Sequence, residues 1–315
     1  MPLPSDEKIV KLANDLLVQL EAIFGPHPGF RAAHPKGIML SGTFTPSPEA
    51  RTLTRAPHIT RESNPVTLRF SDGTGLPFVP DNHPDANPHG LAIRFHLAER
   101  VHTDIVSHST DGFPVRTGQE FLEFLRAAAS GDPSAFLSAH PAALAFVQTP
   151  KPSPASFATE AYFGVTAFRF INQDGVARYG RYRIVPAAGV QHIDDATAKG
   201  KDENYLIHDL KERVSGGTIR FGIQVQIAGD TDVVDDATIH WPEDRPSVPF
   251  GTIVLTALAP DDEVHRRIIF DPIPRVDGIE PSADPLLELR AAIYLLSGRR
   301  RREATGSEAR TSRAV

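Results

Sequence analysis

The 315-residue chain contains no cysteine. That absence rules out disulfides, thiolate zinc sites, iron–sulfur clusters, thiolate-ligated haem and any cysteine nucleophile. An excess of basic charge is also missing. Lysine and arginine number 33 against 39 aspartates and glutamates, a formal net charge of −6. A chain of that sign is a poor partner for nucleic acid or for an anionic membrane surface. Nor is there a long apolar run. Residues 1–24 carry charges throughout, with no basic segment leading into an apolar one, so neither a signal peptide nor a membrane span is expected and a cytoplasmic protein is the default.

What the chain has in quantity is breaks. Its 28 prolines and 23 glycines favour many short strands and shaped loops over a helical bundle. Apolar residues at Ile9, Leu12, Leu16, Leu20 and Ile23 predict an amphipathic helix over 5–24, with Ser5 as its cap and Asp6 and Glu7 at its positive end. Strand-like runs follow at 38–44, 66–70 and 91–97, with a long polar loop over 71–89. Helical patterns cover 118–130 and 133–149. Strands return at 162–172 and 179–186, joined through Gln173-Asp174-Gly175, and again at 218–228 and 251–257. A helix is expected over 202–214. The Pro/Asp-rich stretch 270–285 leads into a terminal helix at about 286–297, with Asp284 as cap and Pro285 in its first turn. Residues 303–315 read as a flexible polar tail. No repeat or linker-like change of composition interrupts this order. The reading is one α+β domain over 1–302, a β-barrel with helices packed outside it.

Three stretches carry candidate chemistry. In "FRAAHPKG" (30–37), Pro35 restricts His34 to extended backbone conformations; taken alone, such a histidine is commonly a satisfied loop residue. In "TLRFSDGTG" (67–75), Arg69 faces inward on a strand and needs an anionic partner, because an unpaired buried guanidinium costs on the order of several kcal/mol. Ser71 shares its strand face. A structural ion pair with a nearby carboxylate is the plain alternative. On the terminal helix Arg290 and Tyr294 are one turn apart on a common face. A phenolate is rare at neutral pH unless positive charge stabilises it, and a tyrosine at the edge of the core is the plain alternative here.

Together and in this order, these stretches resemble the haem catalases, specifically their shorter relatives, the catalase-related peroxidases. The resemblance rests on "RAAHPKG" (31–37), "LRFSDGTG" (68–75), "NPHGLAIRFH" (87–96), "DIVSHS" (104–109), "YFGVTAFRF" (162–170) and "WPEDRPSVPFG" (241–251). It closes on "FDPIPRVDGIEPSADPLLELRAAIY" (270–294), the most specific of them, and covers roughly residues 25–302.

The resemblance implies an eight-stranded antiparallel β-barrel with flanking helices and one haem b, Fe(III) at rest, buried between them. It makes Tyr294 the axial iron ligand, bound as tyrosinate in the known catalase manner, and Arg290 the donor that keeps the phenolate charged. His34 becomes the distal acid and base, oriented by Ser71 through its other ring nitrogen. Arg31, Arg69 and Arg301 match positions that hold the haem propionates. Phe121 matches an aromatic near the distal face and Phe113 one nearer the channel, and each reads equally well as core. Large catalases carry a distal asparagine where this chain has His108 and Ser109, which lowers the expectation of full catalase turnover. The long N-terminal arm and C-terminal domain of the large enzymes have no counterpart in this sequence, which implies a wider approach to the haem.

The implied function is a haem-dependent peroxidase. It would reduce organic hydroperoxides and H₂O₂ through a ferryl intermediate with small one-electron organic donors, and show weak catalase activity. Two alternatives stay open: a hydroperoxide isomerase or dehydratase of the allene oxide synthase kind, and a non-enzymatic haem-binding protein. A homodimer is expected by analogy alone.

Overall fold

Alternation along the chain shows how the barrel wall is made. At Ile219, Phe221, Ile223 and Val225 the side chains are buried, while Arg220 and Gln224 between them are exposed. A period of two puts one face of a strand on the core and the other outside it. The computed structural model describes the backbone of residues 2–311 and the side chains of residues 2–304.

The main sheet is built from β1 (Gly37–Pro46), β2 (Asn64–Ser71), β3 (Gly90–Ala98), β4 (Val101–His108), β5 (Tyr162–Phe163), β6 (Phe168–Ile171), β7 (Ala177–Pro186), β8 (Ile219–Ile227), β9 (Ser247–Leu258) and β10 (Ile279–Pro281). Eight of them form a closed antiparallel barrel in the order β8-β9-β1-β2-β3-β4-β5-β7, with β7 pairing back onto β8. Closure leaves those strands no free edge. β6 continues the line of β5 along β7 and carries β10 on its outer side. Rings fill the interior. Phe44 meets Phe95 edge-on at 4.9 Å, and Phe70 packs on Phe157 and Phe221 at 5.8 Å. Each such fully buried aromatic contributes about 1.5–3 kcal/mol of burial.

Four longer helices lie outside: α1 (Glu7–Phe24), α2 (Gly118–Ala129), α3 (Tyr205–Gly216) and α4 (Leu286–Thr311). α1 starts one residue later than Ser5 would place it. Asp6 is the cap, accepting from the Lys8 N–H at 2.8 Å. Ala13 and Leu16 of α1, Leu122 of α2, and Leu289 and Ala292 of α4 form one cluster that fixes α4 against its neighbours. Among the described residues no helix is long and apolar enough to cross a membrane.

Three expectations need correction. The terminal helix does not end at 297. It continues to Thr311, so the expected tail is helical as far as it is described, and 312–315 lie outside the described residues. Gly298 permits packing here: a Cβ at this position would fall 2.3 Å from Ile269 Cδ1. The good helix formers that follow carry the helix on. The 133–149 pattern is two helices, Ser134–Ala139 and Pro141–Gln148, because Pro141 has no N–H to continue the first. The 162–172 strand is interrupted at 164–167, between β5 and β6.

Candidate functional site

The loop at 31–36, between α1 and β1, lies against the ends of β2 and β3 and one face of α4. Its fixed point is His34. The extended backbone expected ahead of Pro35 is not found, since His34 has φ of 54°. Two tethers hold it there. Its N–H donates to Thr74 O at 2.8 Å, and its carbonyl accepts from Arg69 Nη2 at 2.8 Å. A left-handed non-glycine residue costs about 1–3 kcal/mol, and such residues cluster at functional sites.

The ring of His34 places Nδ1 3.4 Å from Ser71 Oγ, a long contact. Gly90, on the adjoining strand, makes room for it. A Cβ there would lie 2.7 Å from Ser71 Oγ and 3.0 Å from His34 Nδ1. Burial drives the His34 pKa down to about 4, assisted by the charges of Arg69, Arg290 and Arg31 and opposed by a hydrogen bond to the Asp72 backbone. The imidazole is therefore neutral at pH 7 and free to accept a proton.

His108, at the end of β4, belongs to the same cluster. Burial, then Arg290 and His34, push its pKa to about 3, and its Nδ1 is 2.8 Å from Thr110 Oγ1. Ser109 is committed elsewhere, accepting from the His89 N–H at 3.0 Å. Of the two residues in the asparagine's place, the structure brings His108 to His34.

On α4, Arg290 Nη2 donates to Tyr294 Oη at 3.4 Å, so the pair one turn apart does meet. The Arg290 charge also helps to lower His34 and His108, so this face of the helix lies near enough to both rings for its charge to be felt there. The Ala32 N–H donates to Ser297 Oγ at 3.3 Å and laces the two together.

Arg31, Arg69 and Arg301 converge. Arg31 and Arg301 both donate to Ile268 O, at 3.0 and 3.3 Å, while Arg69 donates to His34 O and Pro35 O. Burial, then Arg69 and Arg301, hold Arg31 well below the usual guanidinium range. Arg69 is lowered to about 10 by burial and Arg301, with Asp72 opposing. The structural ion pair considered for Arg69 is absent. Among the described residues neither Arg31 nor Arg69 has a carboxylate in salt-bridge contact, and both give their hydrogen bonds to carbonyls. A buried cationic cluster of this kind has the charge and the fork geometry to receive carboxylates.

The rings of Phe113 and Phe121 meet at a tilt of 44° with a centroid distance of 5.2 Å. Phe121 packs into the α1–α2–α4 cluster, and Phe113 against Val165, Ala237 and Leu286. Their core reading is satisfied as it stands. Sequence reasoning missed the buried ionisable group behind His34, formed by Asp72, Asp81, Lys36 and His89. The signal was in view, because Asp72 directly follows Ser71.

Comparison with known proteins fits this geometry. The catalase family model matches residues 28–308. The chain belongs to the catalase family. It is similar to a catalase-related peroxidase of Mycolicibacterium paratuberculosis, 36% identical over 87% of this chain and 89% of that protein. It is likewise similar to one from Synechococcus elongatus, 34% identical over 90% and 87%. Among solved structures, a fungal catalase superposes with a TM-score of 0.77 at 22% identity, over 91% of this chain and 62% of that one. Catalase A of Saccharomyces cerevisiae gives 0.76 over 86% and 61%. This catalase-family chain thus shares the fold of the large enzymes while spanning less than two thirds of their length. The family implies haem, and the residues present fit it: a phenol with a guanidinium on it, Arg31 and Arg69 without a carboxylate in salt-bridge contact among the described residues, and a neutral buried imidazole.

Proposed function

We propose that this chain is a haem b peroxidase that reduces organic hydroperoxides and H₂O₂ with one-electron organic donors and has weak catalase activity. The observation that carries the reading is His34. It is neutral, strained into place, set against Ser71 and within the field of the Arg290–Tyr294 pair.

In this reading Tyr294 Oη would hold the iron, and the Arg290 guanidinium would donate a hydrogen bond to that oxygen. Arg31, Arg69 and Arg301 would hold the two propionates. When bound, the haem supplies the redox centre at which the peroxide O–O bond breaks. His34 handles the proton. Its Nε2 accepts the proton of the incoming hydroperoxide and returns it to the oxygen that departs as alcohol or water. A base with its pKa below the working pH is unprotonated at the start of every turnover. Ser71 keeps Nδ1 oriented so that Nε2 faces the peroxide. His108 adds a second neutral ring at this face. The same reading includes a single haem domain over residues 1–302, a cytoplasmic setting and a homodimer.

Product analysis tests it. The haem-loaded chain is given a fatty-acid hydroperoxide with and without a phenol. The peroxidase reading expects the alcohol, formed in step with phenol oxidation. Rearranged or dehydrated products without phenol would assign an isomerase or dehydratase instead, and no turnover a haem carrier.

A further inference from the structure

We propose that a pocket on the outer side of the arginine trio binds an aromatic carboxylate, which serves as the electron donor. This rests on the peroxidase reading and adds to it the class of reductant. The pocket has a volume of about 670 Å³, within the size range of small-molecule sites. It opens between the residues preceding β1, helix α3 and the segment after β9. Arg31, Arg69 and Arg301 line one part of it, and Lys211 of α3 another.

Charge and apolar surface are separated in a way that selects the ligand. Lys211 is exposed and has no carboxylate partner among the described residues, whereas Arg266 and Arg267 on the opposite wall are held by Asp261 and Glu263. The cation left to a ligand is thus the lysine. Between the cations the wall is apolar. Phe30 is 42% exposed and Leu258 43%, with Ile38 and Met39 beside them. In a chain of net charge −6, exposed apolar side chains beside an unpaired cation form a site for an acid with a flat apolar body.

Why a donor and not the peroxide follows from the lining. His34, Ser71, His108 and Tyr294 are all absent from it. A peroxide seated there could not give its proton to His34. Electron transfer needs no such contact, and the trio that the pocket shares with the candidate haem site puts a bound donor beside the cofactor's acidic edge. The balance closes: two phenolic donors each lose one electron and a hydroxyl proton, ROOH becomes ROH and water, and two phenoxyl radicals leave.

The test compares 4-hydroxycinnamate with its uncharged methyl ester on the full haem-loaded chain, by calorimetric binding and by steady-state kinetics. The acid is expected to bind about tenfold tighter than the ester. Lys211→Glu is expected to raise KM for the acid about fivefold with little change in kcat, and Leu258→Asp to weaken both donors. Lys211→Ala, a milder change on an exposed helix face, gives a smaller shift in the same direction. Equal binding of acid and ester, or a Lys211→Glu effect identical for both, overturns the proposal. If the loaded chain consumes peroxide with neither donor, the peroxidase reading fails. Calorimetry then still decides the pocket, since a preference for the acid upholds it and no preference rejects it.

Discussion

Asp72 Oδ1 and His89 Nε2 lie 3.6 Å apart, both side chains only 1% exposed and neither atom hydrogen-bonded. Lys36 joins them to a second acid, with Nζ 2.5 Å from Asp81 and 3.6 Å from Asp72. Burial first, and then the neighbouring Asp81, push the Asp72 pKa up to about 8, with Lys36 opposing. Burial pushes His89 down to about 3. The favoured state at neutral pH is therefore a protonated acid beside a neutral ring, one residue along the chain from Ser71.

Asp72→Asn tests this, because an amide resembles a protonated carboxyl. An acid whose folded pKa is raised contributes stability below its unfolded value and loses it as pH climbs through the folded value. The wild type is thus expected to lose ground to Asp72→Asn as pH rises from about 4 to about 8. Urea midpoints of the two proteins at about pH 6 and pH 9 measure the gap. A constant gap would mean that Asp72 is already ionised in the fold.

Acid acts through the histidines. His34 is lowered to about 4, and His58, His89 and His108 to about 3, burial being the leading cause in each. A histidine with a lowered folded pKa is penalised once the unfolded chain begins to protonate. Stability therefore falls as pH drops below about 6.5, the unfolded value. With four such rings set against the raised Asp72 and Asp284, both pushed up chiefly by burial, the loss by about pH 5 is expected to reach a few kcal/mol. Denaturant titrations over this range check it; a flat profile would show that the rings are solvated or charged in the native state.

Tyr294→Phe removes the hydroxyl oxygen that Arg290 Nη2 touches. Haem is expected to be lost, or to remain with its ferric tyrosinate charge-transfer absorption gone. Retention of both the haem and that band would disprove iron ligation by this residue.

His34→Ala leaves the arginine trio and Tyr294 untouched, so the haem content is expected to stay near the wild-type value. Oxidation of the resting enzyme by peroxide is expected to slow by about two to four orders of magnitude, the usual scale for a positioned acid and base. Stopped-flow traces indistinguishable from wild type would remove His34 from proton transfer.

The barrel and its strand order were legible because buried and exposed residues alternate with period two, as along β8, and because short motifs fell in family order. The pairing of Arg290 with Tyr294 was legible from helical spacing alone. Less local features were not. The left-handed backbone of His34 depends on Thr74 and Arg69, some 40 and 35 residues away, and these tethers override the local preference imposed by Pro35. Gly298 lies within α4 under Ile269, a contact made by another segment. The acid cluster behind His34 draws Lys36, Asp72, Asp81 and His89 from separate loops and strand ends, and no spacing rule connects them.

The bond from the Ala32 N–H to Ser297 Oγ has an implication for how the protein is put together. It ties the segment that carries the imidazole to the helix that carries the phenol. A single bond of this kind contributes a net of only about 1 kcal/mol, so it sets the register of loop against helix, and a change in either is transmitted to the other.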